Sequence, residues 1–195
     1  MATIRRAGTG RLGQGARLVW TVAEGAKGRR WRWTHTGDTG LSTVGLMELD
    51  TDGRLTKVEL ASPVGLLTLH PEASDTELHG NVATCEGMRH LRVRWSPTAQ
   101  LIVEGAPLVA AAAAHRLARS VEPGGQRDLS VVVVEPAYTL REARAQVIRE
   151  NEHRWRIDVV PRPHVRLAVD DDGLPVGLTD EASWPLETDE PVGGS

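Results

Sequence analysis

Along stretch after stretch of this chain, apolar and polar side chains alternate, and each stretch stops at a glycine, proline or aspartate. A period of two fits a strand with one buried face, not a helix. Arg30-Trp31-Arg32-Trp33 puts two indoles on one side and two guanidiniums on the other. Leu41 to Leu49 leads to Asp50-Thr51-Asp52-Gly53, an Asp-Gly hairpin signal, and then to a strand from Arg54 to Leu60. After Ser62-Pro63, the run Val64 to Leu69 stops at His70-Pro71. Glu77 to Thr84 and His90 to Trp95 are two further strands. The second sets Leu91, Val93 and Trp95 opposite His90, Arg92 and Arg94. Leu101 to Val103 and the valine-rich Leu129 to Glu135 follow.

One segment breaks the period. Pro107 to Ser120 carries alanines from Ala110 to Ala114, with His115, Arg116 and Arg119 near its end. Proline costs nothing in a first turn, alanine is the best helix former, and cations suit a helix C-terminus. This predicts one helix within 106–121, ended by Pro123-Gly124-Gly125 and docked through its alanine face. The stretch 138–160 is ambiguous. Leu140 to Glu150 has helix propensity, but His153 to Val160 alternates strongly, and a hairpin turning at Glu150 to Glu152 is the expectation. Val165 to Val169, the turn Asp170 to Gly173, and Ser183-Trp184-Pro185-Leu186 close the pattern.

Roughly eight to eleven short strands with one helix predict a mainly β fold. The expected architecture is an antiparallel, partly closed β-barrel with one α-helix packed on it. Residues 1–15, Gly- and Arg-rich without a period, read as a flexible arm. Residues 16–187 read as a single barrel domain and 188–195 as a tail.

The order of these features resembles the glycolipid-binding family, whose curved, partly closed β-barrel is described as like that of bacterial lipoprotein carriers. The resemblance starts at Trp31-Arg32-Trp33. It passes through Leu78-His79-Gly80-Asn81, Trp95-Ser96-Pro97-Thr98 and Leu101-Ile102 to Asp172-Gly173-Leu174-Pro175. Here the loop after Ser96-Pro97 is polar and the alanine helix more pronounced than the family's pattern. The resemblance implies the fold and, through the family's name, a lipid-like ligand.

Composition removes several classes. With 195 residues a single core is large enough to need no staple. Cys85 is the single cysteine, which excludes an intramolecular disulfide and a cysteine-held metal. No apolar run approaches the ~20 residues of a membrane span. The net charge of −3 gives no general footprint for nucleic acid, and Lys27 and Lys57 are the two lysines among 23 basic residues. The basic-aromatic stretch 28–35 therefore reads as a strand with Trp inside and Arg outside. A free thiol and a start without an apolar signal place the protein in the cytoplasm. No metal or cofactor is expected.

Catalytic signatures are weak. His79 and His90 have no zinc spacing, and no Gly-x-Ser-x-Gly elbow is present. Glu77 and His79 share a strand face and form a candidate acid–base pair. The tryptophans lead. Trp31, Trp33, Trp95 and Trp155 fall on the apolar faces of predicted strands, where they either fill a core or line a cavity. With no Phe in the chain, Trp is the large aromatic for either role. The expected function is to hold a hydrophobic or amphipathic small molecule in the barrel. Its contacts would be Trp31, Trp33, Trp95, Trp155, Leu91 and Val93, with His79 and Arg92 near the mouth for a polar head. Two rivals stand beside it. One is a small barrel enzyme using His79 or His90, and the other a filled barrel that docks another protein.

Overall fold

The alternating stretches are strands. The computed structural model describes residues 4–11, 16–37, 40–177 and 187–191. The strands are β1 (Ile4–Arg11), β2 (Arg17–Gly25), β3 (Gly28–Gly37), β4 (Gly40–Leu49), β5 (Leu55–Ser62), β6 (Gly65–Pro71), β7 (Glu77–Thr84) and β8 (Gly87–Arg94). After them come β9 (Gln100–Val103), helix α1 (Pro107–Leu117), β10 (Gln126–Val134), β11 (Leu140–Arg149), β12 (Arg154–Val160), β13 (His164–Val169), β14 (Pro175–Gly177) and β15 (Glu187–Pro191). The protein is mainly β, antiparallel, with one helix among the described residues.

Two sheets result. One has nine strands in the order β15-β1-β2-β3-β4-β5-β6-β7-β8, the other six in the order β14-β13-β12-β11-β10-β9. The nine-stranded sheet is a curled half-barrel that keeps separate edges at β15 and β8, so it is open. The chain forms two compact units. The first takes residues up to His70, then Gly80–His90 and β15; the second takes Pro71–His79 and the chain from Leu91.

In the first unit, register aligns the large side chains. Gly8 pairs with Trp20, Trp20 with Trp33, Trp33 with Gly45, Gly45 with Leu60, and Leu60 with Leu67. The next row runs Val22, Trp31, Met47, Val58 and Leu69. Every non-glycine side chain in both rows is buried. The glycines make room. A Cβ on Gly45 would lie 2.0 Å from Trp33 Cε2, and one on Gly8 2.5 Å from Trp20 Cζ2.

The second unit is built around α1. Leu108 to Ala114 are all buried, and the helix packs on β9 and β13. Alanines let a backbone come close to a sheet. The helix also carries the crossover between β9 and β10, the parallel pair in a sheet whose other described pairs are antiparallel. A parallel pair needs such a connection. Arg149 ties the helix exit to the β11–β12 hairpin. Its Nη1 donates to Val121 O at 2.9 Å and Ala118 O at 3.3 Å, and its guanidinium lies 5.3 Å from the Trp155 ring centroid.

Both Asp-Gly turns are present and have one geometry. Asp50 Oδ1 accepts from the N–H of Asp52 and Arg54, and Asp170 Oδ1 from the N–H of Asp172 and Leu174. Gly53 (φ +75°) and Gly173 (φ +73°) take the left-handed position that other residues adopt only at a cost. The β11–β12 hairpin turns where expected, with Asn151 Oδ1 accepting from His153 and Arg154 N–H.

Three readings change. Ile4–Arg11, read as an arm, is a full strand paired with β2 and β15, and Glu187–Pro191 of the tail is its other partner. Gly8 and Gly10 occupy the buried face there, so the strand has no apolar period to read. β6 continues through His70 to Pro71, since a proline is tolerated at a strand end. Ser183 to Leu186 lie outside the described residues.

Gly45→Ala should cost about 1–3 kcal/mol, because the enclosed Trp33 ring cannot yield to a new methyl group. Gly25, with nothing within 4 Å of an added Cβ, is the matched control and should tolerate alanine. Urea unfolding midpoints of the two variants check this.

Candidate functional site

The residues singled out by sequence divide between the units. Trp31 and Trp33 lie in the first unit on β3. Trp95, just after β8, and Trp155 on β12 lie in the second. Trp31, Trp33 and Trp155 are at most 1% exposed, and no face of these rings is open to solvent. They are packed as a core is packed. Leu91 is buried and Val93 half-buried. Arg92 is exposed, its guanidinium paired with the Glu77 carboxylate, and His79 is half-buried on β7.

Sequence reasoning missed two residues on the indole face. Trp20 is 1% exposed beside Trp33, and Leu18, Trp20 and Val22 carry the alternation that signals it. His35 stands at i+2 from Trp33 on the same face, and it is buried. Burial holds its imidazole down at about 4, so it is neutral at physiological pH. The Nε1 atoms of Trp20, Trp31 and Trp33 and the Nε2 of His35 are buried without a hydrogen-bond partner. At the edge of this face Arg29 lies 5.7 Å from the Trp31 ring centroid and binds Glu24 through Nε at 2.6 Å.

Open concave surface is found in the second unit. A groove of about 390 Å³ is lined by Trp95, Ser96 and Ala99 on one side and by β10 and β11 on the other. Ser130 and Val132 of β10 stand opposite Arg144 and Glu142 of β11 in register, so these four share one sheet face. Val131 and Val132 also border it, both almost wholly buried, with Val132 on that shared face. Arg94 and Arg144 are both among the lining residues, and Glu142 accepts the Arg94 backbone N–H at 3.3 Å. A second groove, about 320 Å³, shares Ser130 and is lined by Thr98, Gln100, Arg116, Arg127 and Asp128, among others.

The loop common to both grooves, residues 96–100, is held from α1. Arg116 donates to the carbonyls of Pro97 and Ala99. β9 is four residues long and pairs only with Val131 to Val134, so the loop takes its place beside the earlier part of β10. Both hollows lie beside this loop. Of the predicted site residues, Trp95 lines a groove, and His79 and His90 line neither. Cys85 is exposed in the turn after β7. Among the described residues no cluster of His, Cys, Asp or Glu is arranged to hold a metal ion.

No protein-family model matches the chain, and no curated protein matches it. Among solved structures it is similar to a DUF1089 family protein from Pseudomonas aeruginosa, with a TM-score of 0.54 and 14% sequence identity, over 92% of this chain and 91% of that one. That likeness shows the fold. No described helix is long and apolar enough to cross a membrane.

Two outcomes follow for the indole face. Trp33→Ala should cost ~3–5 kcal/mol in denaturant unfolding, the penalty of an enclosed aromatic. His35 sets a pH dependence. Its folded pKa lies below the ordinary 6.5, so the unfolded chain binds the extra proton and stability falls as pH drops from 6.5 towards 4, then levels. The full loss is about 3 kcal/mol. His35→Leu should flatten that window in urea midpoints measured across pH.

Proposed function

We propose that this is a cytoplasmic binding protein for a hydrophobic or amphipathic small molecule, and that the molecule lies in the groove beside Trp95. One observation carries the reading. A largely buried tryptophan, buried valines, two serines and charged residues line one open hollow within a single unit. Small-molecule sites are mostly apolar hollows of ~300–1,000 Å³ with a few polar groups that set orientation. The lining has one carboxylate and no histidine or cysteine, which suits holding a molecule better than transforming it. The resemblance to the glycolipid-binding family points the same way.

A second reading keeps the ligand at the indole face of the first unit. The four buried nitrogens without partners favour it, since each such group costs ~1–3 kcal/mol and a ligand's acceptor oxygens would satisfy the indole N–H groups. It requires the face to open, because the rings have no exposed side as they stand.

The test is titration of wild-type protein with 1-octanol by calorimetry, beside Ser130→Trp. Ser130 is exposed and lines both grooves, so a large ring there should fill the hollow without disturbing the core. Saturable binding that disappears in Ser130→Trp supports the groove. Binding that survives Ser130→Trp and is lost in His35→Leu moves the ligand to the indole face. No saturable binding in wild type removes the small-molecule reading.

A further inference from the structure

We infer that the groove beside Trp95 selects an amphipathic anion: an oxyanion head, carboxylate or phosphate, on an apolar body. The inference rests on the groove being the binding site and names the class of molecule it takes.

The charge of the lining runs against the charge of the chain. The protein carries −3, yet the larger groove presents two guanidiniums, Arg94 and Arg144, against one carboxylate, Glu142. The neighbouring groove repeats the ratio with Arg116 and Arg127 against Asp128. The roles of these arginines differ. Arg116 is spent on the carbonyls of Pro97 and Ala99, and Arg127 donates to Ser120 Oγ at 3.1 Å. The Arg94 and Arg144 guanidiniums have no ion pair or hydrogen bond among the described residues. Elsewhere in this protein guanidiniums beside carboxylates are paired: Arg29 with Glu24, Arg30 with Glu48, Arg92 with Glu77, Arg141 with Glu135, and Arg156 with Asp158. Glu142 sits in the same hollow but turns Oε1 to the Arg94 backbone N–H, leaving both side-chain cations uncommitted.

Register gives the hollow a polar end. Arg144 faces Ser130 directly across β10 and β11, so an arginine and a serine are neighbours on one sheet face. Arginine stays charged at every physiological pH and offers a planar fork that fits carboxylate and phosphate oxygens. Trp95, Ala99 and Val132 supply the apolar wall for the body of the ligand. Two cations in a partly enclosed hollow also draw anions in from solution, an effect that salt weakens.

The test titrates wild type, Arg94→Gln/Arg144→Gln and the charge control Arg54→Gln with octanoate, octyl phosphate and 1-octanol. Both groove arginines are exposed, so unchanged melting temperatures are expected. An anion should bind roughly tenfold or more tighter than octanol to wild type and to Arg54→Gln, and the preference should vanish in the double variant and shrink as salt rises. Whichever anion binds tighter identifies the head group. Octanol binding as tightly as both anions, or a preference that persists in the double variant, overturns the inference and leaves the groove reading intact. Binding of none of the three ligands overturns both.

Discussion

A sheet that buries tryptophans must give up side chains elsewhere. In the first unit this exchange is explicit: the Trp33 ring occupies the space of a side chain at position 45, and the Trp20 ring that of one at position 8. The surrounding rows follow from it. With each ring reaching over the glycine of the neighbouring strand, Leu60, Leu67, Met47 and Val58 continue the buried face. The arrangement is close-packed and intolerant of added atoms, as protein interiors are. It has a cost in polar atoms. Three indole nitrogens and one imidazole nitrogen are left without partners, and the imidazole is kept neutral as a result of its burial.

That exchange also marks what the sequence could and could not disclose. The Trp-Arg-Trp strand, the two Asp-Gly turns, the alanine helix and the β11–β12 hairpin were legible because each has a period or a turn residue with one structural meaning. Strong alternation after His153 outweighed the helix propensity of Leu140 to Glu150, since strand pairing overrides a weak local preference. β1 was illegible for the opposite reason: its buried positions include Gly8 and Gly10, whose role is to be absent. Charge pairing was not legible. Arg92, expected near the mouth of the barrel, is exposed and ion-paired with Glu77 of the preceding strand. Arg94, two residues on, lines the groove, and the register of β10 with β11 sets Arg144 of the same lining beside Ser130.

Burial and openness are distributed unevenly among the tryptophans. Trp31, Trp33 and Trp155 work as core, and Trp95, buried as well at 6% exposure, stands where a strand ends and a loop begins beside the groove. Alternation treats these positions alike because it reports which face a side chain takes, not whether the face is covered. The loop 96–100 that borders the groove is held by Arg116 of α1, a contact that alternation along the Trp95 strand does not report.

β1 is flanked by strands from opposite ends of the chain, β2 on one side and β15 on the other. The two pairings differ in kinetic character. β1 to β6 is a meander whose contacts close short loops and form early, while β15 reaches β1 only after nearly the whole chain has been enclosed in one long loop. The entropy of that closure grows slowly with length, so the last pairing is late rather than prohibitively expensive. Until it happens β1 is an open edge with unpaired backbone groups, competent to pair with another chain. The C-terminal strand therefore acts as the latch of the first sheet, and its arrival separates a fold that is complete from one that still offers a template for association.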